Sequence, residues 1–295
     1  AIPDANFEQA VIDLGYDTGT PDGSVPTVNI NTITYLPVAS KSISDLTGIA
    51  DFAALTGLDC SDNQLTTLDL TQNTLLSNTS CHTNQLTSLD LTQHTGLSVL
   101  SVASNQLTSL DLSQNPALVF LSCGINQLTS LDVTQNPDLE SLNFGDNQLT
   151  SIDLSQNIAL TELRCVANQL TSLDLSLHTA LNLLLCNNNQ LTCLNVKNGN
   201  NTNFLSFGAS YNPSLTCIEV DDDSWSTANW TTIDAGTSFS TNCNNSCTVG
   251  NDDIRSSSTF LVYPNPTNGN ISVVLGALKT NLTVNICDNL GQILS

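Results

Sequence analysis

Apolar residues recur through the middle of the chain at a fixed interval of 21 residues. The interval is marked by the tetrapeptide Asn-Gln-Leu-Thr, which occurs seven times. Counted from each of these Asn residues, apolar residues stand at −8, −5 and −3, and a second set follows at +2, +5 and +7. Each unit therefore holds two nested half-units. A fixed interval in this range predicts a solenoid, because a single unit cannot bury its apolar side chains without neighbouring units.

Within each half-unit, the alternation of Leu with another residue predicts a short strand whose Leu side chains point inward. The recurring Asn is expected to turn its amide into the coil, where it satisfies backbone groups left unpaired at the bend. This structural Asn column consists of Asn63, Asn84, Asn105, Asn126, Asn147, Asn168 and Asn189. One −5 position departs from the pattern: Thr79 replaces the core Leu, so its coil is expected to be the weakest.

The spacing L-x-x-L-x-[C/V/F]-x-x-N resembles the leucine-rich repeat, and in particular its 21-residue class, which carries the consensus twice. The resemblance implies an α/β-type leucine-rich repeat solenoid, mostly short parallel β-strands and turns with little helix, and with strand-like segments on both sides of each coil. A small β segment is expected at the C-terminal end.

The pattern divides the chain into five parts. Residues 1–32 form an N-terminal cap, because Asp4 can cap a short helix that Gly15 ends. Residues 33–220 form the solenoid, and its first coil resembles an internalin repeat. Residues 221–247 form a C-terminal cap, residues 248–258 a polar linker, and residues 259–295 a C-terminal segment that the motifs described next identify, by resemblance, as a partial sorting domain. The segment at residues 17–23 is interpreted as a turn rather than a calcium loop, since it lacks the spaced ligands of an EF-hand.

The C-terminal segment carries Tyr263-Pro-Asn-Pro and, later, Asp288-Asn-Leu-Gly291. Together these resemble the first half of the C-terminal sorting domain of the type IX secretion system. The resemblance implies a secreted protein or one held at the outer-membrane surface of a bacterium. Because the opening Ile2-Pro-Asp-Ala-Asn-Phe7 also resembles the start of secreted bacterial leucine-rich repeat proteins, both ends indicate an extracellular location.

Nine of the ten cysteines fall into two classes, and the tenth, Cys287, lies in the C-terminal segment. Five occupy the inward −3 column and are interpreted as buried, unreactive thiols: Cys60, Cys81, Cys123, Cys165 and Cys186. Near the end of the array, Cys193 and Cys217 align in adjacent coils, so a bond between them is geometrically allowed. The resembling bacterial proteins instead favour Cys217 with Cys243, and Cys243 with Cys247 is a third alternative.

Charge limits the partners. The chain has 27 acidic and 5 basic residues, so no cationic surface is available for nucleic acid. No apolar run reaches the length of a membrane span, and we expect a monomer. The three histidines have no catalytic partners at recognisable spacing; His94 and His178 replace Asn at +10. We therefore expect no enzymatic activity.

The second half-unit is nearly invariant, with Thr at +3 and Asp at +6. A column of carboxylates about 4.8 Å apart must be compensated. One interpretation is hydrogen bonding to hydroxyls and amides of neighbouring coils; the other is a file of calcium ions, with Asp90, Asp111, Asp132 and Asp153 as ligands. Calcium is thus the one cofactor considered, and a chelator should then lower the melting temperature.

The first half-unit varies at its outward positions. If its apolar and charged residues form one patch, they predict a recognition or adhesion surface for a protein or glycan. The candidate ligand-binding residues are Val99, Phe120, Ile125, Arg164, Val166, Leu183 and Leu185. The alternative is a structural solenoid, or one that contacts ice or a polysaccharide through the uniform Thr and Asp columns.

Overall fold

The computed structural model describes residues 1–244, Cys247 and the two strands Leu261–Tyr263 and Ser272–Val274. The chain divides into two units, Ala1–Val249 and Gly250–Ser295. The first unit contains the coils. In the second, the two described strands pair antiparallel. The predicted linker at 248–258 and the rest of the predicted sorting segment at 259–295 lie outside the described residues.

The N-terminal cap is built on helix α1 (Ala5–Asp13), followed by the short helix α2 (Thr27–Ile30). Helix α1 begins because the Asp4 carboxylate accepts hydrogen bonds from the backbone N–H groups of Asn6 and Phe7, both at 2.9 Å. Phe7 packs on Phe52 of the first coil, with ring centroids 6.1 Å apart. The buried Glu8 carboxylate accepts from the backbone N–H groups of Asp22 and Gly23, which fixes the end of the 17–23 segment against α1.

The coils that follow are built from three-residue strands. Within the described residues, the strands of the first unit, β1 to β13 in chain order, are Tyr35–Pro37, Gly57–Asp59, Asn78–Ser80, Val99–Ser101, Phe120–Ser122, Ser141–Asn143, Glu162–Arg164, Ser172–Asp174, Leu183–Leu185, Cys193–Asn195, Ser206–Gly208, Cys217–Glu219 and Ser238–Ser240. The two strands of the second unit are β14 (Leu261–Tyr263) and β15 (Ser272–Val274). The described helices are α1, α2 and α3 (Asp223–Asn229), with 3₁₀ turns at Ile49–Asp51 and Asn201–Asn203. Parallel strands and little helix confirm the predicted fold class.

First half-units of successive coils form a nine-stranded parallel sheet in the order β1-β2-β3-β4-β5-β6-β7-β9-β11 within the described part of the chain. The pairing keeps an offset of 21 residues from β2 to β9, as in Leu100 with Leu121 and Leu121 with Leu142. This register places every −5 residue in one inward column. Leu100, Leu121 and Leu142 are 0% exposed, so the repeat interval and the stacking interval are the same.

The opposite side of the coils differs from the prediction that strands line both sides. Second half-units pair only near the C-terminal end, as the four-stranded sheet β13-β12-β10-β8 of the described chain. In earlier coils they are joined by one backbone bond, such as Gln106 N to Leu86 O at 2.8 Å, and by Asn side chains. Leu86 N, for example, donates to Asn105 Oδ1 at 2.9 Å. The same bond is present where the ladder forms, since Leu170 N donates to Asn189 Oδ1 at 3.0 Å, so the Asn bond links neighbouring coils with or without paired strands.

The Asn column closes each bend by bonding within and between coils. In Asn147, Nδ2 donates to the carbonyls of Phe144 at 3.0 Å, Gly145 at 3.3 Å and, in the preceding coil, Cys123 at 3.1 Å. Its Oδ1 accepts from Leu128 N at 2.9 Å. One buried amide thus satisfies four backbone groups in two coils, which explains why the residue recurs.

A second buried polar column stands at +10. Asn73, Asn115, Asn136 and Asn157 are fully buried there, and Asn115 Nδ2 donates to the Leu91 and His94 carbonyls of the preceding coil at 3.0 and 2.9 Å. His94 and His178 occupy the same column and are 1% and 2% exposed. His178 Nε2 lies 3.2 Å from the Leu154 carbonyl, so its ring takes the place of the Asn amide.

His178→Asn should make the stability of the protein less sensitive to low pH. Burial lowers the pKa of the His178 imidazole below its ordinary 6.5, although bonds to Leu154 and Leu175 and the charge of Asp174 oppose the shift. A depressed histidine pKa means that the unfolded chain binds the proton first, so stability is full above 6.5 and falls as the pH drops below it. Urea unfolding should give similar midpoints for wild type and variant at pH 7.5 and a widening advantage for the variant towards pH 5. A constant difference across this range would contradict the assignment.

Thr79→Val should stabilise the coil that was predicted to be weakest. The Thr79 side chain is 1% exposed, and its hydroxyl has no hydrogen-bond partner. A buried unpaired hydroxyl costs about 1–3 kcal/mol, and Val has nearly the same shape. We expect the free energy of unfolding in urea to rise by about 1 kcal/mol. The matched control is Thr150→Val, because the Thr150 side chain is exposed; an equal effect in both variants would contradict the explanation.

The C-terminal cap closes the stack with aromatic rings and two disulfides. Trp230 stacks on Phe207 with centroids 4.0 Å apart, and Phe239 lies 5.8 Å from Trp230. Cys217 bonds to Cys243, the pairing that the resemblance favoured. Cys193 bonds to Cys247, a pairing that the sequence did not suggest. The alternatives Cys193–Cys217 and Cys243–Cys247 are therefore wrong: alignment in adjacent coils allowed the first, but each cysteine instead bonds to the segment that crosses the end of the stack.

Candidate functional site

The outward residues of the nine-stranded sheet form the variable face, which we define by the first and third residues of its strands. Pairing brings the first residues Val99, Phe120, Ser141, Glu162 and Leu183 into one row. The third residues Ser101, Ser122, Asn143, Arg164 and Leu185 form a parallel row. Inward residues between the rows are buried leucines, so outward side chains can differ without disturbing the core.

The candidate binding residues do not form one continuous patch. Val99 and Phe120 are neighbours on β4 and β5, and with Val119 they make an N-side cluster; Phe120 is 37% exposed and Val119 36%. Sequence reasoning missed Val119 because −7 carries no fixed residue type. Its exposure depends on the bend before the strand.

A C-side cluster lies three strand positions further along the sheet and consists of Leu183, Leu185 and Leu205. Leu183 and Leu185 are half-buried on β9, whereas Leu205 is 82% exposed and its N–H donates to the Asn182 carbonyl at 2.7 Å. Leu205 was missed because it follows the Asn198–Asn203 insertion, which shifts the count from the repeating Asn.

A polar strip on β6 and β7 separates the two clusters. In it, Arg164 Nη1 lies 2.6 Å from Glu162 Oε2, and both side chains are about one-third exposed. An ion pair this exposed adds little stability. Glu140 immediately precedes β6, and its N–H donates to the Val119 carbonyl at 2.9 Å, which places a further exposed carboxylate beside the N-side cluster.

Two other candidates, Ile125 and Val166, lie after the strands rather than on them. Ile125 is 57% exposed and belongs to a column of left-handed residues, one before each repeating Asn. The φ angles of this column are between 52° and 60°: Asp62, Thr83, Ser104, Ile125, Asp146, Ala167, Asn188 and Tyr211. A branched residue is strained there, and an exposed strained residue is a reason to look for function.

Replacing Ile125 by Asn should raise stability, since Asn tolerates left-handed backbone. We expect about 1 kcal/mol in the free energy of unfolding. Ile158→Asn provides the control, because Ile158 is also 57% exposed but does not have positive φ. If both variants shift the urea midpoint equally, strain at Ile125 is not the cause.

The Asp column lies on the opposite half of each coil. Its carboxylates accept hydrogen bonds mainly from their own coil, whereas the prediction placed the donors in neighbouring coils. Each carboxylate bonds within its own coil, two residues downstream: Asp132 Oδ1 accepts from Thr134 N at 2.9 Å and Thr134 Oγ1 at 2.7 Å. The backbone bond from Thr71 is the largest cause that lowers the pKa of Asp69, and the same bond from Ser113 lowers that of Asp111 despite repulsion from Asp132 and Asp90. The main donors therefore come from the same coil, and at Asp174 the neighbouring coil adds one, since Asn195 Nδ2 donates to Asp174 Oδ1 at 3.2 Å.

No group of three or more His, Cys, Asp or Glu side chains in the described part of the chain is placed to hold a metal ion. Calcium binding by Asp90, Asp111, Asp132 and Asp153 stays a prediction. The bonds that these four carboxylates make are local Asx turns.

The inward cysteines are buried and free: Cys60, Cys81, Cys123, Cys165 and Cys186. Burial raises the pKa of the Cys81, Cys123 and Cys186 thiols to about 12. A thiol is nucleophilic only as the thiolate, so this column offers packing rather than chemistry.

None of the helices in the described part of the chain has the length and apolar character needed to cross a bilayer.

Comparison with known proteins places these features in a family context. Residues 261–295 match the family described as "Secretion system C-terminal sorting domain". Internalin J of Listeria monocytogenes is 38% identical over 73 residues, which is 25% of this chain and 8% of that protein. The match therefore covers only a small part of that relative.

Two solved structures share the coil architecture. The functional domain of InlJ from Listeria monocytogenes, which includes a cysteine ladder, is 32% identical with a TM-score of 0.55; the alignment covers 74% of this chain and 55% of that one. Internalin C2 of the same species is 24% identical with a TM-score of 0.62, covering 70% and 93%. The second likeness shows the fold alone. The repeat, the stacked coils and these matches show a leucine-rich repeat solenoid of the 21-residue class that is similar to the Listeria internalins, followed by a sorting-domain match that indicates type IX secretion to the cell surface or the extracellular space.

Proposed function

We propose that the protein is a non-enzymatic recognition module that binds a protein through the variable face. The observation that carries the proposal is the contrast between the two halves of each coil. One half repeats Gln, Thr and Asp almost unchanged, whereas the other exposes two apolar clusters on a rigid sheet with a buried leucine core beneath. Apolar side chains that stand exposed on a rigid scaffold and group together are typical anchors of protein interfaces.

An array of secreted and cell-surface proteins, with a glycan array beside it, tests this proposal with the full chain as probe. Wild type should bind a protein, and Phe120→Ser and the double variant Leu183→Ser/Leu185→Ser should each weaken that binding at least about tenfold. The matched control is Leu75→Ser/Leu177→Ser, since these leucines are 58% and 63% exposed but lie off the variable face. Equal losses in the control and the face variants would contradict the proposal.

A polysaccharide or ice-contacting solenoid is the second candidate, and one observation favours it. The side chains of Thr66, Thr87, Thr108, Thr129 and Thr150 are exposed in a single column. These five hydroxyls make no hydrogen bond within the described chain, whereas Thr192 Oγ1, later in the same column, donates to the Thr171 carbonyl at 3.2 Å, and the hydroxyls of Thr71, Thr92 and Thr134 bond to the Asp column. Thr108→Ala/Thr129→Ala should abolish glycan binding or ice-recrystallisation inhibition if this face is used, and should leave protein binding unchanged.

A further inference from the structure

The spacing and charge of the variable face indicate what kind of protein segment fits it. We propose, resting on the protein-binding function above, that the face takes an extended cationic segment with two large apolar residues four positions apart and a Lys or Arg midway between them. The segment would run across the strands, from the N-side cluster to the C-side cluster. The contacts and charges of β4 to β9 carry this inference.

The distance between the clusters selects an extended chain. Phe120 on β5 and Leu183 on β9 are separated by three strand steps, through β6 and β7. At about 4.8 Å per step the separation is about 14 Å. Four residues of extended chain span about 13 Å and return the side chain to the same face, because side chains alternate with a period of two.

A helix does not meet this requirement. At about 1.5 Å per residue, 14 Å corresponds to nine or ten residues. Residues nine apart on a helix point in nearly opposite directions, since 3.6 residues complete one turn. A single helix would therefore present only one of its two apolar residues to the sheet.

The charges around the face select a cation at the middle position. The residue midway between the anchors lies over β6 and β7, where Glu162 stands, and Glu140 directly precedes β6. Arg164 is the cation of this strip and is already paired with Glu162. The other cations among the described residues, Lys41 and Lys197, are held by Asp13 and by the Thr241 carbonyl.

The whole molecule reinforces this local preference. Its formal net charge is −22, so the surrounding potential attracts a basic partner and repels an acidic one. Electrostatic attraction of this kind raises the association rate and is weakened by salt. An apolar segment with basic residues therefore matches both the anchors and the field.

A peptide series on an array tests the inference with full-length protein as the probe. Peptides of one composition should carry two Ile residues separated by two to seven positions, with Lys, Ser or Glu midway. Binding should be strongest at a separation of four with Lys, at least about tenfold stronger than at three or with Glu, and should weaken from 50 to 500 mM salt. Glu140→Lys should reduce the preference for Lys, and Leu183→Ser/Leu185→Ser should remove the dependence on separation.

Binding that is independent of separation, that peaks at seven, or that prefers Glu would overturn the inference. The two proposals can fail separately. If a protein partner is lost in Phe120→Ser while no peptide in the series binds, recognition by the variable face stands and the extended segment is wrong. If the face variants keep full binding to that partner, the proposed function fails as well.

Discussion

Asn147→Ala should destabilise the protein by about 3–5 kcal/mol, the largest effect we expect from a single polar substitution. The Asn147 side chain is 8% exposed and bonds to four backbone groups in two coils. Removal leaves the Leu128 N–H and three carbonyls without this partner. A buried backbone group without a partner costs about 1–3 kcal/mol, and water can reach only part of the gap. Urea unfolding followed by circular dichroism gives the difference.

Gln148→Ala is the matched control for this prediction. Gln148 is adjacent in sequence, and its side chain is exposed. We expect a change within about 0.5 kcal/mol, as for other surface substitutions away from special features. If Asn147→Ala costs no more than Gln148→Ala, the Asn column does not hold neighbouring coils together.

Loss of both disulfides should lower the melting temperature strongly. Cys217–Cys243 spans 26 residues and Cys193–Cys247 spans 54, and in the loop-entropy description such bonds each contribute about 3–4 kcal/mol. Both disulfides hold the cap that covers the last coil, so their loss also exposes the apolar core at that end. We expect dithiothreitol to lower the melting temperature of wild type by at least about 6 °C.

The quadruple variant Cys193→Ser/Cys217→Ser/Cys243→Ser/Cys247→Ser is the control. Without dithiothreitol, this variant should already melt at the temperature of the wild-type protein in dithiothreitol. Adding dithiothreitol should not change its melting temperature, because the inward cysteines are free and buried. Peptide mapping without reduction should recover the pairs Cys193–Cys247 and Cys217–Cys243. A wild-type protein whose melting does not change on reduction would contradict the role assigned to the cap.

The repeat itself made the fold predictable. Leucines at fixed offsets define which side chains point inward, and Asn63 to Asn189 mark where each coil bends. That one interval sets strand order, register and core at once, because each coil contacts its neighbours in the same way. The left-handed residue before each Asn escaped prediction, since the positions that carry it hold residue types as different as Asp62, Ile125 and Tyr211.

Features outside the repeat were harder to predict. The pairing of Cys193 with Cys247 depends on how the chain crosses the end of the stack, which no repeated offset describes. The clusters of the variable face depend on bends, as Val119 and Leu205 show. The Asp column was predicted, but a donor from the neighbouring coil is found only at Asp174; the other donors are local, because the sequence does not distinguish a local Asx turn from a contact between coils.

Deletion of one coil tests most directly the central claim that the 21-residue unit is the unit of folding. Removing residues 127–147 joins Asn126 to Gln148 in phase, whereas removing residues 127–144 is three residues short and puts every later inward position out of register. The in-phase deletion should keep a cooperative melting transition close to that of wild type, and the out-of-phase deletion should lose it. Equal behaviour of the two deletions in thermal melting followed by circular dichroism would contradict the stacked-coil account.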